Sequence, residues 1–157
     1  MLKFLKISIT TLLLLCFSPD LHAGEWVQGD HFQARLAALP EGNNSAAMLE
    51  IEVDEGWHTY GPEPGDAGLP PRFNWEGSEN LSKVEITFPT PIKKREFDMF
   101  DVNAYEGLTQ LPLEIFPLNR DEDVALELDL QIMVCSDICI PAQAKLSSLL
   151  KAASHKP

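Results

Sequence analysis

Apolar and polar residues alternate along most of this chain. In "AAMLEIEVDEG", Ala47, Leu49, Ile51 and Val53 fall on one side, while Met48, Glu50, Glu52 and Asp54 fall on the other. The longer run "VALELDLQIMV" repeats the pattern. Val124, Leu126, Leu128, Leu130, Ile132 and Val134 form the apolar set against Ala125, Glu127, Asp129, Gln131 and Met133. A period of two marks strands that bury one face. Shorter candidates are Phe32 to Leu39, Arg72 to Trp75, Val84 to Phe88 and Leu111 to Phe116. Between them lie "LPEGNNS", "GPEPGDAGLPP", "FPTP" and "LNRDED", which carry the residues of turns. Twelve prolines work against long helices. Only "PAQAKLSSLLKAA", near the C-terminus, admits a modest helix, and its Ala144, Leu146 and Leu150 do not settle the period. The pattern predicts six to eight strands in an all-β, immunoglobulin-like antiparallel sandwich.

The first 23 residues do not fit that pattern. Lys3 and Lys6 precede a mainly apolar run from Ile7 to Phe17, and Leu21-His22-Ala23 offers a cleavage site before Gly24. The run is too short to span a bilayer, which needs about 20 apolar residues. Residues 1–23 therefore read as a secretory signal and 24–157 as one domain. Export to the periplasm of a Gram-negative cell is the expected destination, with no membrane insertion of the mature chain. Removing two lysines and Asp20 with the leader leaves 10 basic and 23 acidic residues, a net charge of −13. Such a charge disfavours nucleic acid and anionic lipid, and favours a neutral or basic protein partner.

Cys16 lies in the leader, so the mature chain holds two cysteines, Cys135 and Cys139, in "VCSDICIP". By parity with Val134, the Cys135 sulfur should lie outside the sandwich or at its rim. Ser136 and Asp137 favour a turn, Ile138-Cys139-Ile140 resumes a strand, and Pro141 should stop the ladder. Across such a turn the thiols can approach to bonding distance. An exported chain permits the bond, but a loop of about five residues is worth only ~2 kcal/mol. Three uses stay open: an inert structural disulfide, a redox-active pair, or a soft Cu(I) site completed by Met133, Met99 or His58. By itself His58 reads as a surface or turn residue. Nothing in the sequence suggests an organic cofactor, a phosphate-cradling loop or a Ser/His/Asp set, so no cofactor or metal site is assigned.

Four segments in order, "GWHTYGPEPGDAGLPPRFNW", "FPTP", "YEGLTQLPLEI" and "VCSDICIPAQAKL", resemble the N-terminal periplasmic domain of DsbD-type thiol:disulfide interchange proteins, and most of all the branch that includes ScsB. The likeness spans roughly Gly24 to Leu150. It implies that Cys135 and Cys139 are a redox pair carrying two electrons between a thioredoxin-like domain or membrane electron carrier and periplasmic thiol oxidoreductases. It further implies that Cys139 forms the mixed disulfide and Cys135 resolves it. The family's aromatic cap maps to "KREFDMFDVNAYEG", making Phe97 and Phe100 the cap candidates, with Tyr105 beside them as a docking candidate. Glu96, Asp98 and Asp137 would hold nearby thiols protonated, and no Lys or Arg lies between Arg120 and Lys145. The thiols should therefore respond to a docked partner and be slow with random disulfides. "GWHTYGPEPGDAGLPP" reads as a strand end and a fixed loop, with Trp57 and Tyr60 against the sandwich, or else as part of the docking rim. Many members continue into a membrane domain and a thioredoxin-like domain. This chain stops at Pro157, so a separate reductant is expected.

Overall fold

A computed structural model describes residues 24–39 and 44–152; the leader reading, with Cys16, lies outside the described residues. Eleven strands are found there: β1 (Val27–Gly29), β2 (Phe32–Ala38), β3 (Ala46–Val53), β4 (His58–Gly65), β5 (Arg72–Asn74), β6 (Leu81–Ile86), β7 (Ile92–Glu96), β8 (Phe100–Glu106), β9 (Leu108–Pro117), β10 (Val124–Cys135) and β11 (Cys139–Leu150). They make two antiparallel sheets. One runs β1-β2-β3-β9-β6, the other β11-β10-β4-β8-β7 with β5 added on β10. The fold is an immunoglobulin-like β-sandwich, as the alternation predicts.

The core lies between the sheets. All six inward residues of β10, from Val124 to Val134, are buried, and so are Ala47, Leu49, Ile51 and Val53 of β3. Phe32, Ala34 and Leu36 of β2 join them, with Leu111, Leu113 and Ile115 of β9. Each fully buried Leu or Ile is worth about 1.5–3 kcal/mol. A few such residues outweigh the ~2 kcal/mol of a five-residue disulfide loop. Stability therefore rests on this hydrocarbon layer.

Three expectations are corrected. The C-terminal segment is a strand, not a helix. β11 pairs with the whole of β10, from Leu150 opposite Val124 to Cys139 opposite Cys135. Its buried residues, Ala142, Ala144, Leu146 and Leu150, keep a period of two. β10 offers a ladder along the whole length of the segment, which outweighs its weak helical preference. Second, Pro141 does not stop the ladder. It lies opposite Met133 in an edge strand, where proline is tolerated. Third, the strands outnumber the expected six to eight. β4 runs through a Pro-rich stretch with a register shift between Tyr60 and Gly65, and β7 (IKKRE) is too charged to show alternation. These two irregular strands, with β8, build the site.

Candidate functional site

Cys135 ends β10 and Cys139 begins β11, directly opposite each other across the hairpin. The loop closes with Ser136 N–H donating to the Ile138 carbonyl at 2.9 Å. A disulfide joins the two cysteines, with their Cα atoms 4.1 Å apart. The sulfurs differ in access. Cys139 is exposed, whereas Cys135 has no exposed surface. The rim position expected for Cys135 is thus corrected. Parity does turn it away from the main core, but that face of the sheet is covered too.

The cover is a second cluster. Tyr60, Val102, Ala104 and Cys135 are buried together, and Ala67, Phe100 and Met133 pack against them. Register explains the grouping: Cys135 pairs with His58, and Tyr60 with Ala104. Paired residues share a face, and so do residues two apart on one strand. His58 and Tyr60 therefore stand on the face that carries the disulfide. The chain beyond β4 folds back over them. Gly68 adopts φ +87°, and a Cβ there would lie 2.6 Å from the Tyr60 ring. Only glycine accepts both the conformation and the contact.

Polar groups thread this cluster. The Tyr60 hydroxyl lies 2.8 Å from Glu96 Oε1, 3.1 Å from Cys135 Sγ and 4.0 Å from Cys139 Sγ. It has one hydrogen, so carboxylate and sulfur compete for it. His58 Nε2 is 3.2 Å from the same hydroxyl and also contacts Glu96 Oε1. Lys94 Nζ sits 3.4 Å from His58 Nδ1 and donates to Glu106 at 2.8 Å. His58, Tyr60 and Glu96 are all nearly inaccessible to solvent, and Glu96 Oε2 is buried without a hydrogen-bond partner. Burial and the Glu96 carboxylate push the Tyr60 phenol well above its usual range.

The residues singled out from sequence fall in different places. Phe97 and Asp98 occupy the turn between β7 and β8, where Met99 N–H donates to Glu96 O at 3.0 Å. Both have positive φ, 49° and 54°, the geometry of a tight hairpin turn that a phenylalanine rarely enters. Phe97 is 55% exposed and lines an open depression with His58, Glu96, Ser136 and Asp137. Phe100 packs within the Cys135 cluster. Tyr105 lies elsewhere: it pairs with Thr59, turns to the opposite face, leans on Phe88 and donates to the Pro89 carbonyl at 2.8 Å. Trp57 stacks on His31 at 3.7 Å, away from the disulfide. His58 is a buried member of the site rather than a surface residue. Sequence reasoning passed over the His58, Tyr60, Glu96 and Lys94 network. The available signal was "HTY", in which two polar aromatics two apart share a strand face.

Among the described residues no group of three His, Cys, Asp or Glu side chains is placed to hold a metal ion, and no helix is long and apolar enough to cross a membrane.

Fold and site together define an immunoglobulin-like domain that presents a half-exposed disulfide at the end of a hairpin. Residues 24–151 match the family described as the N-terminal domain of thiol:disulfide interchange protein DsbD, and the chain belongs to that family. Among solved structures it resembles the N-terminal periplasmic domain of ScsB from Proteus mirabilis. The TM-score is 0.64 and the identity 24%, over 83% of this chain and 51% of that one. It also resembles the reduced N-terminal domain of Neisseria meningitidis DsbD, with a TM-score of 0.50 and 13% identity over 79% of this chain and 87% of that one. At these identities the likeness speaks for the fold. The chain spans about half the length of the ScsB structure. No curated protein matches it.

Proposed function

We propose that the domain exchanges electron pairs with protein thiols through Cys135 and Cys139, in the periplasm of a Gram-negative cell. The observation that supports this best is the unequal access of the two sulfurs in a bonded pair. A partner thiolate can reach Cys139 Sγ, whereas Cys135 Sγ is shielded. Attack forms a partner–Cys139 mixed disulfide and breaks the Cys135–Cys139 bond, whose electron pair leaves with Cys135. The Tyr60 hydroxyl, 3.1 Å away, is placed to donate to that departing thiolate. A second partner thiolate then attacks the partner's sulfur in the mixed disulfide, which frees Cys139. The partner leaves oxidised, and this chain holds the dithiol. In the reverse direction the dithiol reduces an acceptor.

Phe100 packs in the cluster that buries Cys135, and Phe97 lines the depression beside Ser136 and Asp137; we assign the cap to this turn, with Phe97 as the part a docking partner moves aside. A thioredoxin-like domain or a membrane electron carrier fits as the reductant, and periplasmic thiol oxidoreductases as acceptors. The surplus of acid favours basic or neutral docking faces.

The test uses single-cysteine variants and a chromogenic aromatic disulfide. Cys135→Ser, which keeps Cys139, should react readily and trap mixed disulfides with thioredoxin-like partners. Cys139→Ser should stay folded, react slowly and lose transfer altogether. Equal reactivity of the two variants would overturn the assignment. Loss of the folded state on mild reduction of the wild-type protein would mark the bond as structural.

A further inference from the structure

Cys135 has no exposed surface in the bonded protein, so when the disulfide breaks its thiolate forms in a site shielded from bulk water. Resting on the exchange reading above, we propose that Lys94, His58 and Tyr60 form a proton relay from solvent to Cys135 Sγ.

The separations and the chemistry of each group support it. Lys94 is an obligate donor, and its ammonium lies 3.4 Å from His58 Nδ1. With Nδ1 accepting, the neutral imidazole carries its hydrogen on Nε2, which is 3.2 Å from the Tyr60 oxygen. The Tyr60 hydrogen can then turn to Cys135 Sγ at 3.1 Å. With that tautomer, and with the Tyr60 hydrogen turned from Glu96 to the sulfur, each link runs from donor to acceptor toward Cys135. The outer end is wet, because the Lys94 side chain is 34% exposed, and the inner groups are dry.

Glu96 supplies the counter-charge. Its Oε1 contacts both His58 Nε2 and the Tyr60 hydroxyl, so positive charge passing along the imidazole is compensated. The other charged groups facing the network are Glu106, paired with Lys94, and Arg95, Asp98 and Asp137 around the same depression. The phenol resists ionisation in this setting, so it must gain a proton as it gives one up. A positioned donor that receives a replacement proton meets that requirement.

The balance is as follows. The attacking thiolate bonds to Cys139 Sγ, and the electron pair of the broken bond goes to Cys135 Sγ. The Tyr60 proton moves to that sulfur, the His58 Nε2 proton to Tyr60, a Lys94 proton to His58 Nδ1, and solvent reprotonates Lys94. His58 ends in its other tautomer and is reset when the dithiol is reoxidised along the same path. Protonation commits the mixed disulfide, because an unprotonated Cys135 would attack Cys139 again and restore the original bond.

Lys94 and His58 act through Tyr60, so the test must separate proton transfer from charge and packing. The full-length oxidised chain is reduced with dithiothreitol across a pH series in water and in deuterium oxide. Lys94→Gln, Lys94→Arg and His58→Gln are compared with wild type. Arginine keeps the charge but does not release its proton. The expected result is that all three slow both reduction and reoxidation about tenfold or more, a modest share of what general acid catalysis commonly supplies. The equilibrium with glutathione should hold, and the wild-type solvent isotope effect should shrink. A wild-type rate in Lys94→Arg with a slow Lys94→Gln would assign Lys94 a purely electrostatic role and overturn the relay. Wild-type rates in all three would also overturn it, while leaving the exchange reading intact. A folded wild-type protein that dithiothreitol cannot reduce would instead remove the exchange reading itself.

Discussion

Two buried clusters lie on opposite faces of the same sheet, and they are built on different principles. The one between the sheets buries hydrocarbon side chains from five of the strands, with Leu126, Leu130 and Val134 fully buried. The one on the outer face has four buried members, Tyr60, Val102, Ala104 and Cys135, and is laced with His58 and Glu96. The first meets the demands of stability, since apolar surface leaves water and no polar group is stranded. The second keeps a buried carboxylate with one unpartnered oxygen beside a breakable bond. Buried polar groups that are incompletely satisfied cost stability, and their presence next to reactive sulfur marks where the molecule gives up some packing for chemistry.

If the two clusters are separate in purpose, damage to one should spare the other. The largest effect belongs to the main core. Leu126→Ala should cost about 3 kcal/mol in urea unfolding, in oxidised and reduced protein alike, without changing the rate of exchange per folded molecule. A change in that rate would show the clusters to be coupled. Next comes Gly68→Ala. Its Cβ would strike the Tyr60 ring, and its φ of +87° suits glycine alone. The expected cost is about 1–3 kcal/mol. Here reactivity of the disulfide should change as well, because Tyr60 is displaced from Cys135; stopped-flow reduction checks it.

The smallest effect lies outside both clusters. Burial pushes the Glu50 carboxyl up, but hydrogen bonds from Gln110 and Arg35, and the charge of Arg35, bring it below its ordinary value. A depressed acid contributes stability above its unfolded pKa, near 4.3, and loses that contribution as pH falls through the folded value. Wild-type protein should therefore lose stability in acid relative to Glu50→Gln, with little change in the exchange rate. Parallel acid titrations followed by circular dichroism would show the two curves converging as pH falls through the folded value.

The sandwich was legible because its main core strands, β3 and β10, alternate without interruption. Residues 124–134 state their inward face directly, and the family resemblance rests on runs that remain adjacent in the fold. Where local signals were mixed, long-range pairing overruled them. "PAQAKLSSLLKAA" became a strand because β10 offered it a full ladder, and "IKKRE" became one although its side chains are mostly exposed.

What the sequence by itself determined is the hydrocarbon core, the turn after Cys135, and the proximity of two cysteines four positions apart. Those features depend on neighbours in the chain, and a period of two reports them. Tertiary structure alone decided that Cys135 would be buried and Cys139 exposed, and that His58, Tyr60, Lys94 and Glu96 would meet beside them. These residues come from β4, β7 and β10, up to 77 positions apart between His58 and Cys135. Their meeting depends on a register between strands and on a glycine loop closing over a tyrosine. No local alternation of apolar and polar residues encodes either one.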